Sequence, residues 1–265
     1  MISKTKLNQL KGYSQKKVRA ETGCFWVKGW RSLEEACKAS VSFEIVLVTE
    51  GLEEGSSFRG KSWEMICTRA KEVLEVTESE MKKITSNTTP PGISALVSWT
   101  PEKFEMSFGS LKGRQQLIVA VDRISEPGNL GTIIRTCDWF GVDGLLVGSG
   151  SVELTNPKVV RSTMGSLFHF PIFTEVDLQE SVRDLKGSGF TAYGAALGEN
   201  RCLYDTVWAN KALLVIGSEA WGIDSDLFSE LEGIRIPGYG KSESLNAGVA
   251  TGVFLSTIRQ SFSVR

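Results

Sequence analysis

Short apolar runs separated by polar segments recur through the second half of the chain. They cover 117–121, 144–147, 190–195, 213–216 and 233–236. Each is short enough for a strand buried on both faces, and the segments between them show helical periodicity. Strands of this kind that alternate with helices are typical of a mostly parallel sheet covered by helices. The pattern therefore predicts an α/β fold for residues 113–265.

Helical periodicity is clearest directly after the first of these strands. The apolar residues of 127–140 recur three and four positions apart and form one face, with Leu130, Ile133, Ile134, Cys137 and Phe140. A second helix is predicted from 245 to about 260. It contains Gly248 and Gly252, which each cost about 0.5 to 1 kcal/mol relative to alanine. We expect close packing against a neighbouring backbone to offset that cost.

The first part of the chain has its own alternation of elements. Its patterns predict helices at 33–39 and 78–84 and strands at 43–48 and 94–99, with a turn-rich loop at 87–92 and a linker at 101–113. A chain of 265 residues can bury two cores. We therefore expect a small α/β domain at 1–112 and a larger domain at 113–265.

Three glycine-containing segments follow predicted strands of the larger domain. The residues in them that packing does not require are Asn129, Arg135, Gly217, Glu219, Gly222, Ser244 and Asn246. The carboxyl ends of parallel strands meet at one edge of a sheet, where open α/β sheets bind ligands. Taken singly, these residues are also explained as turns, helix caps or solvated loop acids. Their recurrence at three strand ends favours a shared site.

In this order, the three segments resemble motifs one, two and three of the SpoU (TrmH-like) branch of the SPOUT RNA ribose methyltransferases. The matching stretches are Asn129-Leu-Gly-Thr-Ile-Ile-Arg135, Ile216-Gly-Ser-Glu-Ala-Trp-Gly222 and Ile236-Pro-Gly-Tyr-Gly-Lys-Ser-Glu-Ser-Leu-Asn-Ala-Gly-Val-Ala250. The segment 158–172 is similar to the helix that links motifs one and two in this family.

The resemblance extends more loosely to about residues 15 to 100. There, 21–36 is similar to the start of the family's substrate-binding domain, a small α/β module of ribosomal-protein type. The family usually has an acidic residue where this chain has Lys28, so family details that depend on that position do not carry over.

The resemblance implies a SPOUT-type parallel sheet with a deep trefoil knot, joined to a small N-terminal α/β RNA-binding domain. It implies S-adenosylmethionine as cofactor and a homodimer in which a second subunit completes the pocket. The residues implied to contact the cofactor are Ala195, Gly217, Gly222, Ile236, Ser244 and Leu245.

The reaction implied is methyl transfer to a ribose 2′-hydroxyl of structured RNA. The catalytic residues carried over are Arg135, Asn129, Glu219, Ser244 and Asn246. Arg135 is the candidate for activating the hydroxyl. Because arginine stays protonated, its alternative role is electrostatic, holding the adjacent phosphate and stabilising a developing alkoxide.

Charge distribution points to the N-terminal part as the RNA-binding region. Residues 1–112 carry 17 Lys and Arg against 14 acids, whereas 113–265 carry 13 against 17. The excess of Lys and Arg in residues 1–112 attracts phosphates, although a solvated, partly frayed terminus explains the same composition. The candidate RNA contacts are Lys16, Lys17, Arg19, Arg31 and Arg161, the last of which is also a candidate for the subunit interface. A separate N-terminal domain favours ribosomal over transfer RNA.

The composition also limits the chemistry. Five cysteines without a Cys-x-x-Cys pair are typical of reduced thiols in a cytosolic protein. The single histidine, His169, lies between two phenylalanines and is predicted to be a packed strand residue, so no structural zinc site or Ser-His-Asp triad is expected. No apolar run approaches the length of a membrane span, and the polar start lacks the apolar region of a signal peptide. We therefore expect a cytoplasmic protein without metal or membrane.

Three functions remain compatible with the sequence. The leading one is an active ribose methyltransferase, acting on ribosomal RNA or alternatively on transfer RNA. The second is a catalytically silent RNA-binding or ribosome-assembly factor on the same fold. A nucleotide-dependent oxidoreductase is a distant third, because no Gly-x-Gly-x-x-Gly follows a strand and opens a helix.

Overall fold

The computed structural model describes residues 2–52, 59–86, 89, 91–101 and 115–263. They form two compact units, one of Met1–Thr100 with Thr155–His169 and one of Pro101–Leu154 with Phe170–Arg265. The segment 155–169 thus packs with the first unit, although it lies inside 113–265 in sequence. Residues 102–113 of the predicted linker, and residues 87, 88 and 90 of the predicted loop at 87–92, lie outside the described residues.

Helices and strands alternate along the described chain. The helices are α1 (Lys4–Gly12), α2 (Lys16–Thr22), α3 (Trp30–Lys38), α4 (Gly60–Arg69), α5 (Glu78–Thr85), α6 (Pro127–Trp139), α7 (Pro157–Thr163), α8 (Leu178–Gly187), α9 (Ser225–Phe228) and α10 (Ala247–Ser263). The strands are β1 (Cys24–Lys28), β2 (Ser42–Thr49), β3 (Val73–Val76), β4 (Ile93–Ser98), β5 (Gln116–Asp122), β6 (Gly144–Gly148), β7 (Ile172–Val176), β8 (Thr191–Ala195), β9 (Lys211–Gly217) and β10 (Glu232–Ile234).

The first unit contains a four-stranded sheet in the order β1-β4-β2-β3. Strand β4 is antiparallel to β1 and β2, and β2 is parallel to β3. Leu10 of α1 and Trp26 of β1 belong to one apolar cluster together with Met81 and Ile84 of α5. The Trp26 indole donates a hydrogen bond to the Leu10 carbonyl at 3.2 Å. The basic start of the chain is therefore helical and holds part of the core of this unit.

The predicted elements of the first unit are present, with shifted ends. Helix α5 begins with a capping box, because the Thr77 hydroxyl accepts from the Glu80 backbone and the Glu80 carboxylate accepts from the Thr77 backbone. His169 does not lie in a strand, so that prediction was wrong. It follows a 3₁₀ turn at Ser166–Phe168, and its Nε2 lies 3.1 Å from Glu35 Oε2, an ion-pairing geometry that the sequence did not reveal.

The second unit contains a six-stranded sheet in the order β10-β8-β9-β5-β6-β7. Every paired strand in it is parallel to its neighbour. The prediction of a mostly parallel α/β sheet is confirmed, and β7 adds a strand that was not among the predicted ones. Because all pairs are parallel, the loops after β5, β8, β9 and β10 emerge at one edge of the sheet.

Helices α6 and α10 pack against each other beside this sheet. A Cβ atom added at Gly248 would lie 2.8 Å from the Thr132 side chain, so the small residues of α10 do allow close approach to α6. The trefoil knot implied by the family resemblance stays a prediction. In the described part of the chain, no helix has both the length and the apolar character needed to cross a bilayer.

Candidate active site

A cavity of about 850 Å³ opens at the carboxyl edge of the six-stranded sheet. It is bounded by the segments that follow β8, β9 and β10 and by the first turns of α10. The six residues predicted to contact the cofactor all line it: Ala195, Gly217, Gly222, Ile236, Ser244 and Leu245. The structure thus brings together residues that are distant in sequence.

The chemistry of this lining suits a nucleoside-type ligand. Ile216, Ile234, Phe228 and Phe254 provide apolar surface, and the loop backbones provide hydrogen-bonding groups at the edge. The volume lies in the range of about 300 to 1,000 Å³ that is usual for small-molecule sites. The cavity therefore fits S-adenosylmethionine, which combines a flat adenine ring with polar ribose and amino-acid groups.

Asn129, Glu219 and Asn246 form a hydrogen-bonded cluster that joins the three motifs. Glu219 Oε1 accepts from Asn129 Nδ2 at 2.6 Å, from Asn246 Nδ2 at 3.0 Å and from the Ala247 backbone at 3.2 Å. Asn246 Nδ2 also donates to Asn129 Oδ1 at 2.7 Å. The cluster ties the start of α6, the loop after β9 and the start of α10 to one another.

The helix ends hold the two asparagines in place. Glu126 caps α6 by accepting from the Asn129 backbone at 2.7 Å, so the Asn129 side chain is left to contact Glu219 and Asn246. Asn246 Oδ1 accepts from the backbones of Gly248 at 3.0 Å and Val249 at 3.3 Å at the start of α10. Asn246 therefore acts as a helix cap and as a member of the cluster at the same time.

The loop that carries Glu219 is tightly folded. Ser218 and Gly222 exchange two backbone hydrogen bonds, at 2.9 and 3.1 Å, and the Ser218 hydroxyl accepts from the Trp221 backbone at 3.1 Å. A Cβ atom at Gly217 would lie 2.2 Å from the carbonyl carbon of Gly222, so only glycine fits there. Gly222 has a φ of +67°, which also favours glycine.

Arg135 lies apart from this cluster in a single chain. It is exposed on α6 and does not line the cavity, and its side chain makes no hydrogen bond or ion pair within the described part of the chain. Ser244 lines the cavity, but its side chain does not belong to the cluster; its carbonyl accepts from the Ser242 hydroxyl at 3.0 Å.

A second cavity of about 410 Å³ adjoins the cluster. It is lined by Arg123, Ile124, Ser125, Glu126, Asn129, Gly150, Ser218, Glu219, Ala220 and Trp221. The sequence interpretation did not find this cavity. A sequence signal for it was Trp221, a large aromatic residue in a loop bounded by Gly217 and Gly222.

The predicted RNA contacts lie in the first unit and differ in exposure. Lys16, Lys17, Arg31 and Arg161 are exposed. Arg19 is only 4% exposed, and its guanidinium donates to the Ser14 carbonyl at 2.5 Å, so it contributes to packing between α1 and α2.

Lys28 is half-buried at the end of β1 and donates to the Thr85 carbonyl at 2.5 Å. Burial, and to a lesser extent the nearby charge of Arg161, lower the pKa of Lys28 to about 8. The acid that the family usually has at this position is thus replaced by a cation close to another cation.

Among the described residues, no group of three or more His, Cys, Asp or Glu side chains is arranged to hold a metal ion. The five cysteines all lie in the described part of the chain, and none of them forms a disulfide.

Comparison with known proteins agrees with this arrangement. Residues 116–256 match the SpoU rRNA Methylase family, and residues 4–95 match the MRM3-like substrate binding domain. The chain belongs to the SpoU rRNA methylase family.

The similarity to individual relatives extends over both units. The 23S rRNA (guanosine(2553)-2′-O)-methyltransferase RlmP of Bacillus subtilis is 28% identical over 255 residues, which is 96% of each chain. The AdoMet-bound rRNA methyltransferase from Sinorhizobium meliloti is 26% identical, with a TM-score of 0.83 over 98% of this chain and 97% of that one. The SpoU methyltransferase AviRb from Streptomyces viridochromogenes, also in complex with AdoMet, is 25% identical, with a TM-score of 0.83 over 99% of this chain and 100% of that one.

Proposed function

We propose that this protein transfers the methyl group of S-adenosylmethionine to a ribose 2′-hydroxyl of structured RNA, with ribosomal RNA as the favoured substrate. The observation that carries the proposal is the Asn129–Glu219–Asn246 cluster, which joins three motifs beside a cavity suited to a nucleoside. RlmP of Bacillus subtilis modifies a 2′-oxygen of 23S rRNA, and its similarity to this chain spans both units.

The larger cavity is the proposed cofactor site. Gly217 and Gly222 let the loop backbone approach the ligand, and Ile236 and Leu245 cover its apolar parts. Bound there, S-adenosylmethionine supplies an electrophilic methyl group. Glu219 lines this cavity and the smaller one, so the acceptor hydroxyl is expected on the other side of the 217–222 loop.

The residues of the chain position the acceptor ribose and help its hydroxyl to lose its proton. A ribose hydroxyl is a weak nucleophile while protonated, so its proton must be shared or removed as it aligns with the methyl group. The cluster fixes the polar wall on which the ribose rests, since Asn129 is held by hydrogen bonds from two directions. Arg135 holds the adjacent phosphate and favours the developing negative charge.

A homodimer accounts for the position of Arg135. Arg135 and Trp139 lie four residues apart on the same exposed face of α6, and Trp139 is 84% exposed. Val249, on the adjoining α10, is 52% exposed. A second subunit placed on this face would bury the apolar residues and bring Arg135 to the partner's site.

Light scattering on Trp139→Asp tests this arrangement, with Tyr204→Asp as the control for an exposed aromatic residue elsewhere on the second unit. We expect the first variant to be monomeric and inactive and the control to stay dimeric. A Trp139→Asp variant that remains an active dimer would show that this face of α6 is not the dimer interface.

The first unit is the proposed RNA-binding module, through exposed Lys16, Lys17, Arg31 and Arg161. Arg19 is a weaker candidate, because its guanidinium is already engaged. Charge reversal at the exposed positions should weaken RNA binding and reduce its salt dependence. A cytoplasmic location remains part of this proposal.

The test is transfer from labelled S-adenosylmethionine to ribosomal and transfer RNA purified from cells that lack this protein, with Arg135→Ala in parallel. We expect labelling of ribosomal RNA by the wild type and at least a hundredfold less by the variant, in keeping with the loss of electrostatic stabilisation. Labelling of transfer RNA alone would change the substrate. Absence of labelling by a folded dimer would favour the silent RNA-binding factor, which rests on the same two domains.

A further inference from the structure

Trp221 exposes 81% of its surface at the rim of the smaller cavity. An indole in water is unfavourable, and a large exposed aromatic residue beside a cavity is typical of a contact surface for a ligand. The other residues of the 217–222 loop are small or belong to the cluster, so the indole is the one large apolar group that this loop presents.

The loop holds Trp221 in a fixed position. The Trp221 backbone donates to the Ser218 hydroxyl, and the two backbone hydrogen bonds between Ser218 and Gly222 close the loop on either side of it. There is no space for a Cβ at Gly217, because the backbone of Gly222 packs directly against it. A side chain on such a rigid loop loses little backbone entropy when a ligand stacks on it.

The loop also forms the wall between the two cavities. Ser218, Glu219 and Ala220 line both, whereas Trp221 and Asn129 line only the smaller one. A cofactor in the larger cavity therefore leaves the smaller one for the molecule that receives the methyl group. Trp221 lies at the mouth of that receiving cavity, and the Asn129–Glu219 pair lies in its wall.

We propose that the smaller cavity receives the target nucleotide and that Trp221 stacks on its base. The inference rests on the function proposed above and assigns its acceptor subsite. Every nucleobase has a π-face, so stacking suits a nucleotide drawn out of folded RNA and places its ribose toward Glu219. Arg123, which is held by Asp122 and Asp224, adds a cation to the lining.

Steady-state kinetics on Trp221→Ala and Trp221→Phe test the assignment, using the RNA labelled in the transfer assay and saturating S-adenosylmethionine. Base–aromatic stacking contributes about 1 to 3 kcal/mol per base, so kcat/KM for RNA should fall about 5- to 150-fold in Trp221→Ala. Most of the loss should appear in KM, and Trp221→Phe should recover most of it. Binding of S-adenosylmethionine, measured by calorimetry, should be unchanged in both.

Two controls separate stacking from other roles of the indole. Tyr204→Ala removes an aromatic side chain that is 61% exposed and lies outside the lining of both cavities, and it should keep wild-type kcat/KM. Molecular mass by light scattering and the thermal unfolding midpoint should be the same for wild type and both Trp221 variants.

Quenching of tryptophan fluorescence by RNA gives an independent measurement, and it should be smaller in Trp221→Phe than in the wild type. The assignment is overturned by an unchanged kcat/KM in Trp221→Ala, or by a loss that accompanies a change in dimer mass or in cofactor affinity. No transfer by the wild type would instead overturn the proposed function itself, and the subsite with it.

Discussion

The Asn246 side-chain amide donates a hydrogen bond to Asn129 Oδ1 at 2.7 Å, although 117 positions separate the two residues in sequence. Both also donate to Glu219 Oε1. The three motifs are therefore joined by direct contacts between their polar side chains. Substitutions at these side chains can therefore separate their contribution to the stability of the fold from their contribution to methyl transfer.

Substitutions at Asn246 separate helix capping from the cluster. Asn246→Ser keeps a capping oxygen but lacks the amide donor, whereas Asn246→Ala lacks both. We expect Asn246→Ala to lose about 1 to 2 kcal/mol of unfolding free energy and Asn246→Ser to lose less than about 1 kcal/mol. Methyl transfer should fall sharply in both. Chemical denaturation and the transfer assay provide the measurements, and an active Asn246→Ser would show that Asn246 serves only as a cap.

Substitutions at Glu219 separate its charge from its shape. Glu219→Gln keeps an oxygen that can accept from Asn129, Asn246 and the Ala247 backbone. Glu219→Ala removes that acceptor from the buried Asn129 amide and Ala247 backbone, at a cost of about 1 to 3 kcal/mol for each buried group left unpaired, whereas the exposed Asn246 amide keeps its bond to Asn129. We expect the thermal midpoint to be preserved in Glu219→Gln and lowered in Glu219→Ala. Equal midpoints for the two variants would contradict the hydrogen-bond arrangement described here.

Gly217→Ala should deform the cofactor cavity. The added Cβ would lie 2.2 Å from a backbone atom of Gly222, so the loop must shift. We expect at least a tenfold weaker affinity for S-adenosylmethionine, measured by calorimetry. Gly187→Ala, at a position with no atom within 4 Å of the added Cβ, is the matched control and should bind as the wild type does. Unchanged affinity in Gly217→Ala would show that the loop is not part of the cofactor site.

Lys28 should make stability depend on pH above neutrality. Its folded pKa of about 8 lies below the ordinary value of 10.5, so the folded chain releases this proton first as pH rises. The unfolded state then binds more protons, and stability rises between about pH 8 and 10.5. Relative to Lys28→Met, the wild type should therefore gain unfolding free energy from pH 7 to pH 10.

Lys28→Arg is the control for this pH dependence, because arginine stays protonated across the range. Its stability relative to Lys28→Met should not rise as that of the wild type does. Denaturant titrations at pH 7, 8.5 and 10 measure all three proteins. Parallel curves for wild type and Lys28→Met would show that Lys28 is not perturbed.

The apolar patterns predicted five of the six strands of the large sheet, all except β7, and fewer of the elements of the small one. Runs such as 117–121 and 213–216 are buried on both faces, and they coincide with the central strands β5 and β9. Strand β3 has only four residues, and two of them, Val73 and Glu75, are exposed. Its sequence therefore lacks the buried apolar run that predicted strands elsewhere in the chain. Helices α1 and α2 are rich in lysine, and their role depends on Leu10 reaching a distant core, which local sequence does not encode.

Part of the candidate site could also be predicted from the sequence, and part could not. The six predicted cofactor contacts, which are among the residues that line the larger cavity, followed from the family resemblance. The placement of 155–169 with the first unit depends on long-range packing, and so does the burial of Arg19. The smaller cavity is formed by the loops after β5, β6 and β9 together, so no single segment of sequence indicates it.

Alkaline hydrolysis of RNA labelled by the wild-type protein tests the central claim most directly. A methyl group on the 2′-oxygen removes the nucleophile that alkali uses to cleave the adjacent phosphodiester. The account predicts that the label is recovered in alkali-resistant dinucleotides and that Arg135→Ala yields at least a hundredfold less of it. Label recovered in mononucleotides would indicate a methylated base and would contradict the assignment of a ribose methyltransferase.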